Sequence, residues 1–272
     1  MKAMIFAAGL GTRLRPLTDN LPKALAPLAG HTLLYHVLTR LKNAGIEGFV
    51  INVHHFADKI IDYVAATPEL AAMDITFSDE RDLLRNTGGG IRHAAPLLTE
   101  DRFLIHNVDI ISDLDIRWFE SDLKQDAVST LLVSDRRTQR YFLFGEDNRL
   151  AGWTNISTGE VKTPFRGLDI SRLHKGAFAG IHLPSGSIFR TFDEIDAHSE
   201  DFPLFDAGGN VVKGSQEPLG QCFSIVDYYL RAAAEYPVYI KKPAHLTLID
   251  AGKPETLAEA ENYITGISSQ LP

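Results

Sequence analysis

Short apolar runs alternate with segments of helical period along most of the chain, and this alternation narrows the fold more than any other feature. Residues 2–8 form an apolar run of strand length. Leu33, Leu34, Val37, Leu38, Leu41 and Ala44 then recur at helical spacing, and Gly45 supplies a C-terminal stop. Residues 49–51, 75–77, 103–105 and 128–133 read as further strands, with helices over 56–66 and 91–98. The alternation breaks at 139–175, where 141–144 and 150–153 flank the turn-like Glu146-Asp147-Asn148, a hairpin pattern. It resumes with a strand over 177–183, helices over 188–195 and 224–236, a short strand over 245–249 and a helix opening at Pro254. The pattern predicts an α/β fold with a Rossmann-like, mostly parallel central sheet, helices on both faces and a small hairpin-containing insertion. In such sheets ligands bind beyond the carboxyl ends of the strands, so the loops there are where function is sought.

The chain has 272 residues, 44% hydrophobic and 23% charged, which is ordinary globular usage and enough for a core without disulfides. The one cysteine, Cys222, cannot form an internal disulfide and reads as a small buried or neutral residue. Met1 runs into the first strand without a charged leader, and no apolar run approaches the roughly eighteen residues of a membrane span. A cytoplasmic protein with no membrane partner is expected. The net charge of −8 argues against nucleic acid as a partner. That charge is uneven: residues 1–50 carry six Lys or Arg against two acids, so an acidic protein keeps a cationic N-terminal region.

The cations sit in a glycine-containing loop. Gly9-Leu10-Gly11-Thr12-Arg13-Leu14-Arg15-Pro16-Leu17-Thr18 follows the first strand, and Lys23 comes soon after. Glycines let backbone amides approach anionic oxygens, and nearby cations hold them, so the loop suits a polyphosphate. It is not a P-loop, because Gly11 is followed by Thr12-Arg13 where that motif needs Lys-Ser/Thr. It is not a dinucleotide fingerprint, because Leu14 stands where a third glycine is required. The adjacent His54-His55 pair points to opposite faces of an extended segment and does not make a zinc site.

The whole string, a strand followed by G-x-G-T-R-x-x-P-x-T and a lysine, resembles the sugar-nucleotidyltransferase family, the nucleotide-sugar pyrophosphorylases. Lys23 is followed by Ala24 where the family usually has proline. Within the family the order of features is similar to that of uridylyltransferases acting on N-acetylmuramic acid 1-phosphate: Asn52 ends the second strand, Thr87-Gly88-Gly89-Gly90-Ile91 is similar to their T-G-G-G-I with Asn86 replacing a glutamate, and Ile249-Asp250-Ala251-Gly252 resembles their V-D-V-G.

The resemblance implies an enzyme that joins a sugar 1-phosphate to the α-phosphate of a nucleoside triphosphate and releases pyrophosphate, with UTP and N-acetylmuramic acid 1-phosphate as the expected pair. Transfer of cytidylyl or guanylyl groups to another phosphorylated sugar or alcohol, and a non-catalytic nucleotide-sugar sensor, are the alternatives. It implies Mg²⁺ held by Asp109 and Asp250, each at a strand end; Val108 replaces the glycine usual before the first. Asp113 and Asp115 are near rivals, assigned to capping the helix predicted over 116–124. The same resemblance implies that Arg13 grips the β- and γ-phosphates, that Lys23 neutralises the α-phosphate, and that Arg13, Lys23 and Asp109 are catalytic. It places Ala8, Gly9, Gly11 and Thr12 against the nucleotide through their backbones, Glu80 and Gly88 at the base, and Asn107 and Gly180 at the sugar. Lys162 and Lys175 are candidates for the sugar phosphate, and Asp227 matches a common acidic position of the family. One domain is expected over 1–272, with a nucleotide-binding part at 1–135 and a sugar-binding part at 136–272 that includes the closing strand and helix at 245–264.

Overall fold

The computed structural model describes residues 1–268, so the last four positions of the range expected for the sugar-binding part lie outside the described residues. In chain order the strands are β1 (Lys2–Phe6), β2 (Pro27–Leu28), β3 (His31–Thr32), β4 (Gly48–Val53), β5 (Asp74–Asp79), β6 (Leu104–Asn107), β7 (Ile110–Ser112), β8 (Ser129–Ser134), β9 (Arg140–Phe144), β10 (Leu150–Asn155), β11 (Glu160–Lys162), β12 (His174–Pro184), β13 (Val238–Lys241) and β14 (Leu248–Asp250). The helices are α1 (Leu33–Asn43), α2 (Ala57–Ala66), α3 (Pro68–Ala71), α4 (Asn86–His93), α5 (Ile116–Glu120), α6 (Ser187–Ala197), α7 (Ile225–Ala232) and α8 (Pro254–Ser268). Among the described residues no helix is long and apolar enough to cross a membrane.

The chain clusters into two units. The first comprises Met1–Leu84, Leu104–Trp118 and the chain from Leu246 onward; the second comprises Arg85–Phe103 and Phe119–His245. The two units interleave along the sequence, with α4 in the second and β14 in the first.

In the first unit β6, β1, β4 and β5 lie side by side in that order, all parallel. Every residue of β4 is buried, as expected of a strand whose two faces are both covered. Burial also drives α1 onto the unit: Leu33, Leu34, Val37, Leu38 and Leu41 form its buried stripe, each worth roughly 1.5–3 kcal/mol when fully removed from water. Thr32 caps this helix by accepting from Tyr35 N at 3.1 Å, and Gly45 ends it with φ +101°. The registers Phe6↔Asn52 and Phe6↔Asn107 align the carboxyl ends of the three neighbouring strands. Apart from them, β7 pairs antiparallel with β14, Asp250 opposite Ile110.

In the second unit β11, β10, β9 and β12 form an antiparallel run; β12 also pairs with β8, and β8 pairs parallel with β13. The hairpin predicted around Glu146-Asp147-Asn148 is β9 and β10, its turn closed by Asp147 Oδ1 accepting from Arg149 N at 3.1 Å. The helix expected over 91–98 instead starts at Asn86 and ends at His93, and α5 is shorter than the expected 116–124. Asp115 does cap α5, accepting from Arg117 N and Trp118 N. Asp113 does not: it accepts from Thr247 N at 2.9 Å.

Each unit buries a histidine. His106 of β6 is pushed down to about 4, chiefly by burial. His182 of β12 is pushed down to about 3 by burial, with Nδ1 2.6 Å from the Tyr229 hydroxyl. Both ordinarily titrate near 6.5, so their neutral forms favour the folded state above that pH, and the contribution is lost as pH falls toward 4 and 3. Stability is expected to fall between pH 6.5 and 4 by roughly 3 kcal/mol per histidine, the loss from His182 continuing toward pH 3. Denaturant unfolding across that range in His106→Gln and His182→Gln checks this; each replacement flattens the curve.

Candidate active site

The chain leaving β1 is held almost at once. Asn52, at the end of β4, accepts through Oδ1 from Ala7 N at 2.7 Å and Ala8 N at 3.2 Å. Gly9 is exposed, and nothing lies within 4 Å of where its Cβ would stand. Gly11 turns the chain with φ +66°; a Cβ there would meet Thr18 Cγ2 at 3.0 Å and Lys23 Cβ at 3.1 Å. Thr18 donates to Gly11 O at 2.7 Å, and Leu14 is buried beneath the turn, so Thr12 and Arg13 are displayed on its outer side. Lys23 opens a second short turn whose Ala24 and Leu25 are buried.

Asp109 follows β6 directly, and Asp250 ends β14. The β7–β14 register and an Ala251 N to Asp109 O bond of 2.8 Å bring these two distant residues into one site. Lys23 Nζ is in direct contact with Asp109 Oδ2. The guanidinium of Arg13 bridges the acids, Nη2 at 3.8 Å from Asp109 Oδ2 and Nη1 at 3.8 Å from Asp250 Oδ2. Asp109 and Lys23 are nearly buried, at 9% and 13% side-chain exposure, whereas Arg13 is 53% exposed. The Lys23–Asp109 pair is therefore the stronger anchor; Arg13, wetter and farther off, is held by well under the about 4 kcal/mol of an unscreened pair at 4 Å near a protein surface.

Gly252 is the residue that sequence reading left without a reason. A Cβ at this position would lie 2.7 Å from Asp250 Oδ1, 2.8 Å from Arg13 Nη2 and 3.0 Å from Asp109 Oδ2. Only a glycine lets both acids and the guanidinium close on one point. Two carboxylates drawn to one point, at 9% and 29% side-chain exposure, fit the donor set of a hard divalent cation such as Mg²⁺, which takes one or two protein carboxylates and fills its other positions with phosphate and water. Among the described residues no group of three or more His, Cys, Asp or Glu is gathered as metal ligands. His54 Nδ1 instead lies 2.6 Å from Glu80 O, and His55 packs on Phe56.

The other positions singled out in the sequence have these surroundings. Glu80 is fully buried, its Oε1 accepting from Asn52 Nδ2 at 2.8 Å, and so is not a solvent-facing carboxylate waiting for a base. The Ala8 amide is engaged by Asn52, which leaves its carbonyl as the group available to a ligand. Gly88 belongs to the second unit: its N donates to Phe223 O at 2.9 Å, and the Phe223 ring fills the place of a Cβ at 2.3 Å, so packing explains this glycine. Cys222 is exposed rather than buried. Asn107 ends β6 in the first unit, half-buried. Gly180 sits with φ +70° inside the register shift of β12 between Phe178 and His182. Lys162 pairs with Asp227 at 3.5 Å and Glu160 at 3.7 Å, and with Asp227 lines a cavity of about 370 Å³ in the second unit; Lys175 is exposed on β12.

The sequence profile described as nucleotidyl transferase matches residues 2–144. An N-acetylmuramate alpha-1-phosphate uridylyltransferase of Caulobacter vibrioides is 48% identical over 242 residues, which cover 86% of this chain and 95% of that protein. A mannose-1-phosphate guanyltransferase of Yarrowia lipolytica is 35% identical over 98% of this chain and 70% of its own length. Among solved structures, a UDP-glucose pyrophosphorylase complexed with UDP-glucose superposes with a TM-score of 0.71 over 98% of each chain at 16% identity, a likeness of fold.

Gly252→Val is expected to splay the acids and Arg13 apart. Turnover at the site should fall at least about tenfold, a loss of about 1.4 kcal/mol, while the melting temperature moves by no more than about 4 °C, because the displaced atoms are side-chain ends. Steady-state rates beside a thermal melt check both halves.

Proposed function

This chain belongs to the nucleotidyl transferase family, and on that premise we propose that it transfers the uridylyl group of UTP to N-acetylmuramate α-1-phosphate with magnesium bound at Asp109 and Asp250. Identity of 48% to a uridylyltransferase of that name, along 95% of its length, supports the choice of substrates. The observation that carries the chemistry is the meeting of Arg13, Lys23, Asp109 and Asp250 within one unit.

The reaction needs little from the protein beyond position and charge. A phosphate oxygen of the sugar 1-phosphate, already ionised at neutral pH, attacks the α-phosphorus; the bond from that phosphorus to the oxygen bridging to the β-phosphate breaks, and pyrophosphate leaves with the electron pair. No serine, cysteine or general base is required. Catalysis rests on neutralising charge as two anions approach and a third group departs. Lys23, nearly buried and fixed on the short turn after the loop, would meet the α-phosphate, and the more exposed Arg13 would reach the β- and γ-phosphates. Gly9, Gly11, Thr12 and the Ala8 carbonyl offer backbone contacts to the nucleotide. The metal supplies further neutralisation of the triphosphate when bound. In the second unit Gly180 is assigned to the sugar, and Lys162 or Lys175 to its phosphate.

Pyrophosphate release measured with each of the four nucleoside triphosphates against a panel of sugar 1-phosphates tests the reading. UTP with N-acetylmuramate α-1-phosphate should give the highest kcat/KM, and EDTA should abolish it. Asp109→Asn, Asp250→Asn and Lys23→Ala should each lose about a hundredfold or more in kcat while remaining folded. Preference for GTP with mannose 1-phosphate would favour the guanylyl alternative, and nucleotide-sugar binding without turnover a sensor.

A further inference from the structure

A chain of buried hydrogen bonds crosses the carboxyl ends of three adjacent strands and stops at the start of the nucleotide loop. It begins at Glu80, just past β5, whose side chain has no exposed surface. The Glu80 backbone is fixed on both sides: its N donates to Val53 O at 2.8 Å, and its O accepts from Leu83 N at 3.0 Å and lies 2.6 Å from His54 Nδ1. Its carboxyl group accepts from Asn52 Nδ2 at 2.8 Å. Asn52 is itself 3% exposed and turns Oδ1 toward Ala7 N and Ala8 N.

An asparagine amide can present oxygen or nitrogen to either side, and the two choices here are opposite in effect. With oxygen toward the loop, both Ala7 and Ala8 amides are satisfied; with nitrogen toward it, donor faces donor. Glu80 settles the choice, because an acceptor at Asn52 Nδ2 forces Oδ1 the other way. From this geometry we infer that Glu80 and Asn52 are positioning residues: they aim the Ala7–Gly9 backbone, and through it the Ala8 carbonyl and the open face of Gly9, at the nucleotide. The cationic end of the loop does not need them, being anchored separately by Thr18 on Gly11 O and by Lys23 on Asp109. Losing the relay therefore weakens nucleotide binding and spares the chemical step. This inference rests on reading the loop as the nucleotide site.

Two readouts test it, one of them free of substrate. In Glu80→Leu, which removes the acceptor, hydrogen exchange at the Ala7 and Ala8 amides should quicken about tenfold or more, and KM for UTP should rise about tenfold with kcat within about threefold of wild type. Glu80→Gln keeps an oxygen for Asn52 Nδ2 and should restore both. Asn52→Ala, which removes the acceptor of the Ala7 and Ala8 amides directly, should reproduce the Glu80→Leu behaviour, and the double variant, which leaves no Glu80 carboxyl group without its Asn52 donor, replaces either single variant that fails to fold. Unchanged amide exchange and KM in folded Asn52→Ala, or a lower melting temperature as the sole effect, overturns the inference. So does a changed base preference in Glu80→Gln, which would mean that Glu80 reads the base. Fast exchange in the variants of a protein whose wild type releases no pyrophosphate would overturn the proposed function while leaving the relay standing.

Discussion

The candidate site depends on three residue pairs of antiparallel ladder between β7 and β14. Asp109 and Asp250 stand far apart in the chain, and each alone is an ordinary acid at a strand end. The register that sets Asp250 opposite Ile110 turns them into one dianionic centre. Because side chains alternate across a strand, a slip of one residue would send the Asp250 side chain to the opposite face. Asp113 guards against that slip from the other end of the ribbon, exchanging two hydrogen bonds with Thr247. Arg40 adds a bond to Leu114 O just beyond.

The loop after β1 is organised before any ligand arrives. Asn52 fixes its first amides, Thr18 closes on the Gly11 carbonyl, Leu14 plugs the turn into the core, and Lys23 pairs with Asp109. Ordering a free loop on binding would cost conformational entropy; here most of that ordering accompanies folding. The price is that cations needed for phosphate are paired with acids in the resting protein, an arrangement that also keeps a nearly buried ammonium and carboxylate from standing alone.

Net charge and local charge answer different questions in this protein. The chain carries −8 overall, while a few cations beside two acids make a patch whose sign changes over a few ångströms. In the proposed reaction polyphosphate would meet Arg13 and Lys23, and a divalent cation the two carboxylates, each offsetting charge that the other leaves. The fold matches that of a solved UDP-glucose pyrophosphorylase at 16% identity, so the sheet itself says little about which base or sugar is chosen.

Periodicity along the chain made the parallel strands, α1 with its cap and stop, and the β9–β10 hairpin legible, because each is a local pattern of apolar spacing and turn residues. The loop's chemistry was legible for the same reason: glycines and cations lie within a short stretch of sequence. What local pattern could not carry is which distant residues share a point in space. The burial of Glu80, the orientation of the Asn52 amide, the packing of Phe223 into the place of a Gly88 side chain and the space kept open by Gly252 are all contacts across strands or between segments far apart. A carboxylate reads the same in one dimension whether it faces water or a buried amide. Only the packed structure decides, since the hydrogen-bond partner that makes burial tolerable comes from another strand.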